Sequence, residues 1–185
     1  FGLSVDNSSA DLSLINDRKV RLIDEFASYR IQQLNDPKFT LIKNNASFIS
    51  PHKIKVGNSV LVAKNFIIAT GSIVAEFPIP GLAESGFLTS DDVLELRTIP
   101  ESMIVLGAGP VAVELAQFFC RIGTQTTLIQ RSDHVLSKGD LDLARPVETR
   151  FREEGMKVFT GTKLLRVEKT KQNRTVFFTH EGQEK

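Results

Sequence analysis

The stretch MIVLGAGPVAVELAQFFCRIG, residues 103–123, decides the fold. It opens on a short apolar run, 103–106, that suits a buried strand. Gly107, Gly109 and Ala112 follow in the pattern G-x-G-x-x-A. Residues 111–122 carry helical periodicity, Pro110 suits the first helical turn, and Gly123 suits the C-terminal stop. A second apolar run, 126–129, follows. The order is therefore strand, glycine loop, helix, strand. In that order the first glycine permits a tight turn, the second lets the backbone approach a pyrophosphate, and the small Ala112 lets the helix pack on the strand. The helix start adds free N–H groups and a positive dipole end. Gly107, Ala108, Gly109, Pro110, Val111 and Ala112 are thus the candidate dinucleotide contacts. Two other readings stay open at this point: a plain glycine turn, and the glycine-rich turn of a methyltransferase.

The end of the second strand addresses the choice of dinucleotide. An acidic residue about 20 positions beyond the first glycine would bind the free 2′-hydroxyl of NAD, whereas an arginine would accommodate the 2′-phosphate of NADP. Gln130 and Arg131 stand there. A neutral residue followed by a cation favours NADP over NAD; Lys138, seven residues on, reads first as a solvated surface charge and only second as a cation that joins such a phosphate site.

Outward from this core, residues 141–154 predict another helix, and 157–159, 164–167 and 175–179 predict strands. Upstream, Leu12, Ile15, Leu22, Phe26 and Tyr29 predict a helix over 12–34, closed by Asp36-Pro37. Residues 39–42, 47–49, 54–56, 60–62 and 66–69 predict short strands, with Gly57-Asn58 as a hairpin turn. Pro78, Pro80 and Gly81 mark 73–97 as a connection, in which Ser90-Asp91-Asp92 caps a short helix through Arg97. The predicted organisation is an α/β chain with a partial module over 1–72, the connection 73–97 and a Rossmann-like module over 98–185, in which a parallel sheet with helices is followed by a β-meander.

Composition narrows the function classes. The 185 residues carry 23 basic and 22 acidic side chains, a net charge of +1, which is no footprint for nucleic acid or an anionic membrane. Apolar residues make up 41 % and charged residues 24 %, a globular balance. Cys120 is the only cysteine, so no internal disulfide forms; that leans toward the cytoplasm. A lone cysteine after two phenylalanines reads as a small core residue rather than a nucleophile. His52, His134 and His180 lack ligand spacing, so no metal site is expected. No G-x-S-x-G elbow occurs, so a hydrolase has no support. The chain opens on Phe1 rather than methionine, which points to a piece of a longer protein.

Together, AKNFIIATGS, PIPG, TSDDVLEL, TIPES and VLGAGPVAVELAQFFCRIG resemble the flavoprotein pyridine nucleotide–disulfide oxidoreductases, which include lipoamide dehydrogenase, glutathione reductase and mercuric reductase. The resemblance implies that 1–72 is part of an FAD-binding domain and 98–185 most of an NAD(P)-binding domain. It implies that the FAD pyrophosphate loop, the redox cysteine pair and the dimerisation domain of a homodimeric parent lie outside these residues. No catalytic residue is therefore assigned here. By the same resemblance Ala69, Thr70 and Gly71 pass close to FAD, the Ala46 backbone faces its adenine, and Glu114 lies near the flavin. Pro110 stands where many members place a tyrosine lid. Gln130-Arg131 resembles the NADPH-using branch more than the lipoamide dehydrogenase branch.

Overall fold

In a computed structural model of the chain, the described residues are 9–75, 77–171 and 173–185. Backbone contacts divide them into two units: Lys19–Ala75, and the residues flanking it on both sides. Residues 1–11, which the sequence predicts as a tail or loop, lie mostly outside the described residues.

The flanking unit is built on three parallel strands, β4 (Ser102–Leu106), β5 (Gln125–Ile129) and β6 (Lys157–Phe159), in that order across the sheet. Met103 pairs with Thr126 and Val105 with Leu128, then Leu128 with Val158. Helix α4 (Pro110–Arg121) crosses from β4 to β5, and α5 (Leu141–Glu153) from β5 to β6. Apolar residues from both layers form one core: Ala108, Val113, Ala116, Leu128, Val135, Ala144, Phe151 and Met156. Pro146 sits inside α5, past the first turn, where it removes one N–H from the helical ladder. Gly123 and Gly155 follow α4 and α5 at φ 111° and 88°, the left-handed region that ends helices on glycine.

An antiparallel meander follows: β7 (Lys163–Lys169), β8 (Arg174–His180) and β9 (Gln183–Glu184). Phe159 of β6 packs against Phe178 of β8, with centroids 5.2 Å apart. The sequence predicts β7 and β8 but not β9, a strand of two residues.

The stretch read as a connection is packed. Helix α2 (Leu82–Ser85) lies against β7, where the Val167 N–H donates to the Pro80 carbonyl at 2.8 Å. Gly81 has φ 77°, and a Cβ there would stand 2.0 Å from the Val167 oxygen. The next helix, α3, covers only Ser90–Val93 and so stops short of Arg97. Thr89 rather than Ser90 caps it, in a reciprocal box with Asp92. Beyond Val93 the carbonyls of Leu94 and Leu96 accept from the Asn16 amide at 3.0 and 3.3 Å, so they serve a tertiary contact instead of another helical turn. Arg97 pairs with Asp17.

Within Lys19–Ala75, most of helix α1 (Leu12–Leu34) is followed by an antiparallel meander of β1 (Ala46–Ser50), β2 (Lys53–Val56) and β3 (Ser59–Val62). The Gly57-Asn58 turn joins β2 to β3 as predicted, with Val56 opposite Ser59. Two predicted strands do not form. At 39–42 the chain leaves α1 through turns: the Asp36 carboxylate accepts from the Lys38 N–H, and its carbonyl from the Phe39 N–H, both at 2.9 Å. That local bonding competes with pairing. At 66–69 no neighbouring strand among the described residues pairs with the chain, and β propensity without a partner makes no strand.

Candidate functional site

The glycine loop takes the shape its residues allow. Gly107 has φ 98°, a region that residues with a Cβ rarely adopt. Its N–H donates to the Ile129 carbonyl at 2.8 Å, which extends the β4–β5 ladder by one bond. Gly109 is extended, at φ −74° and ψ 175°, and stands as the N-cap of α4. A Cβ at Gly107 or Gly109 would meet nothing within 4 Å, so the space outside the loop is open to a ligand backbone group. Among the described residues no side chain caps Gly109, and Pro110 carries no N–H. The first N–H groups of the helix, at Val111 and Ala112, are therefore free for an anion. Val111 is exposed and Ala112 half-buried. Ala108 is buried, and its carbonyl is taken by the Leu136 N–H at 2.8 Å. These features fit a dinucleotide pyrophosphate.

Two residues beyond Ile129, Arg131 is exposed, and it makes no ion pair among the described residues. Gln130 is spent on structure. Its N–H donates to the Phe159 carbonyl at 2.8 Å, and its own carbonyl accepts from Thr162 N–H and Oγ1 at 3.1 and 2.9 Å. Its side-chain amide reaches the His134 carbonyl and Ser137 Oγ, each at 3.4 Å. Gln130 thus anchors the loop that follows, while Arg131 and Lys138 lie on its exposed side.

That loop is no solvated link. Val135 is fully buried, and its N–H donates to Glu148 Oε1 at 3.0 Å. Leu136 is held at φ 52°. Sequence reasoning passes over Val135, Leu136, Glu148 and Thr162. The signal was present in Val135-Leu136, an apolar pair set in the polar run S-D-H-V-L-S-K.

Glu114 lies exposed on α4. Ala46, Ala69, Thr70 and Gly71 belong to the Lys19–Ala75 unit, and all four are exposed, so these residues alone do not enclose a flavin. Cys120 is half-buried with Sγ 3.5 Å from the Glu154 carbonyl, and burial pushes its thiol up, against a thiolate role. Among the described residues no three His, Cys, Asp or Glu side chains are grouped to hold a metal ion, and no helix is long and apolar enough to cross a membrane.

The family model for pyridine nucleotide-disulphide oxidoreductases matches residues 4–185. The chain belongs to that family. It is 33 % identical to a mercuric reductase of Staphylococcus aureus over 99 % of this chain and 34 % of that protein. A dihydrolipoyl dehydrogenase of Bacillus subtilis is 30 % identical over 88 % of this chain and 36 % of its own length. The chain thus spans about a third of these relatives. Among solved structures, the HOCl-induced flavoprotein disulfide reductase RclA from Escherichia coli superposes with a TM-score of 0.80 at 25 % identity, covering 95 % of this chain and 40 % of that one. The mixed α/β architecture, with its parallel sheet and antiparallel meanders, is the pyridine nucleotide-disulphide oxidoreductase fold.

Proposed function

We propose that this chain is the nicotinamide-dinucleotide-binding part, with a share of the flavin-binding part, of an FAD-dependent oxidoreductase, and that it takes NADPH in preference to NADH. The carrying observation is the juxtaposition at the end of the parallel sheet. The uncapped start of α4 lies behind Gly107, and Gly107 is bonded to the strand that ends two residues before the exposed Arg131. A pyrophosphate would rest on the Val111 and Ala112 N–H groups, and a 2′-phosphate would meet the Arg131 guanidinium. When bound, the reduced nicotinamide supplies a hydride for the flavin and, through it, for a disulfide or similar acceptor. This chain's own residues bind and orient the dinucleotide. A homodimeric, cytoplasmic parent is part of the proposal by family resemblance.

A calorimetric titration with NADPH and NADH at one ionic strength tests the reading. NADPH binds at least about tenfold tighter, and Arg131→Ala removes the difference, as loss of a hydrogen bond to a charged group predicts. NADH binding as tightly as NADPH overturns the Arg131 assignment. The dihydrolipoyl dehydrogenase relatives make an NAD-dependent member the second reading, and that outcome selects it. The chain purifies without bound flavin, since Ala46 and 69–71 are open to solvent; a yellow preparation with stoichiometric flavin defeats this expectation.

A further inference from the structure

We infer that Glu148 is a positioning residue for the adenosine end of the dinucleotide: from α5 it sets the loop that carries Arg131 and Lys138. The inference rests on the reading of Arg131 as a 2′-phosphate ligand. Besides the Gly161 N–H bond to the Ser132 carbonyl at 2.8 Å, three tethers hold this loop. The Gln130 amide contacts are long, at 3.4 Å. The Leu136 N–H joins the loop to the glycine loop through the Ala108 carbonyl at 2.8 Å. The third is the charged one. Glu148, with only 14 % of its side chain exposed, accepts the Val135 N–H on Oε1 at 3.0 Å, while Arg152 Nη1 holds Oε2 at 3.1 Å. A carboxylate on a backbone N–H is stronger than a neutral acceptor.

The placement matters because of what stands on either side. Val135 is fully buried, and Leu136 next to it adopts a left-handed φ of 52°. A leucine keeps that conformation only where its surroundings hold it. Without Glu148 the Val135 N–H is left buried and unpaired, and the strained step beside it is free to relax. The segment between Arg131 and Lys138 then shifts relative to the glycine loop. The pyrophosphate seat, built from Gly107, Gly109 and α4, keeps its own bonds. Glu148 therefore bears on the 2′-phosphate and not on the 5′-phosphate.

The test titrates the chain with 2′,5′-ADP and with 5′-AMP, the adenosine halves of the two dinucleotides, and records melting temperatures alongside. Glu148→Ala weakens 2′,5′-ADP by about tenfold and 5′-AMP by less than about threefold. Glu148→Gln keeps the wild-type ratio within about threefold, because an amide oxygen still accepts from Val135. Arg152→Ala, which leaves the Val135 bond in place, lowers the ratio by about two- to threefold and serves if Glu148→Ala does not fold. An unchanged ratio in Glu148→Ala, or in Arg152→Ala where Glu148→Ala does not fold, overturns the inference even where the wild type prefers 2′,5′-ADP. Equal weakening of both probes also overturns it, since that marks Glu148 as a general structural residue. Equal binding of the two probes by the wild type overturns the NADPH reading, and the role of Glu148 falls with it.

Discussion

The two units of this chain use similar sequence patterns to different ends. In the flanking unit the apolar faces meet one another: Phe119, Leu128 and Phe151 are at most 2 % exposed. In Lys19–Ala75 they face outward: Phe26 is 71 % exposed, Ile67 94 % and Ile73 95 %. Val56 is the buried apolar residue of that unit among those described. Amphipathic periodicity forms the helix in both cases, but it stabilises a fold only where something covers the apolar stripe. The Rossmann-like part carries both of its layers in this chain; the meander part shows α1 and three strands with little packed on them. The chain spans about a third of the length of these relatives.

A pair of phenylalanines breaks or sharpens this contrast most strongly. Phe151→Ala empties a site in the packed core, and by large-to-small precedent it costs about 3–5 kcal/mol. Phe26→Ala removes a ring that is already in water, and such surface changes stay within about 0.5 kcal/mol. Urea unfolding of both variants measures the difference. Comparable losses would show that Phe26 is covered in solution and that the contrast between the units is wrong.

The same contrast explains what was legible in the sequence. Where local signals and tertiary partners agree, as in the β4–loop–α4–β5 unit, strands, glycine loop and helix fall close to their predicted places. Residues 66–69 are as β-rich as 126–129, but only the second run has neighbours in the described chain, so only it becomes a strand. The residues of the site divide in the same way. Gly107 and Gly109 announce themselves through spacing. Glu148 does not, because its role arises from a tertiary bond to Val135 that no local pattern encodes. The helix predicted over 90–97 stops at Val93 for a similar reason: Asn16, some 80 residues away, takes the Leu94 and Leu96 carbonyls, and Pro100 has no N–H to offer the second.

Gly81 tests the boundary between packed and open regions with a smaller effect. It lies in the stretch that proline content marks as a connection, and in an open connection Gly81→Ala would cost only the left-handed conformation, roughly 1–2 kcal/mol. Here the new Cβ also meets the Val167 carbonyl, a backbone atom that cannot swing away. The substitution is expected to cost about 2–5 kcal/mol, the strain and the overpacking together. Thermal denaturation measures it. A loss near 1 kcal/mol would return 77–86 to the status of a loose link and shrink the packed unit accordingly.

The smallest effect concerns charge. At the end of α5 Glu154 accepts from Arg121 Nη2 and Arg150 Nε, both at 2.7 Å, and from the Gln117 amide at 3.0 Å, so it ties α4 to α5. The Arg121 hydrogen bond first, and the Gln117 bond next, hold its carboxyl at about 2 instead of the usual 4.5. A carboxylate with a depressed folded value contributes its full stability above the unfolded value and loses it as pH falls toward the folded one. The contribution is therefore complete above about 4.5 and fades down to about 2. In Lys19–Ala75 the corresponding pair, Arg21 with Glu25, has side chains 63 % and 60 % exposed, a setting in which ion pairs contribute little. Melting temperatures across this acid range separate the two. Glu154→Gln lowers stability at neutral pH and flattens the acid slope, whereas Glu25→Gln leaves the slope as it was. Parallel curves for wild type and Glu154→Gln would show that the cluster at the helix ends is as loosely bound as the exposed pair on α1, and that the two units differ in apolar packing alone.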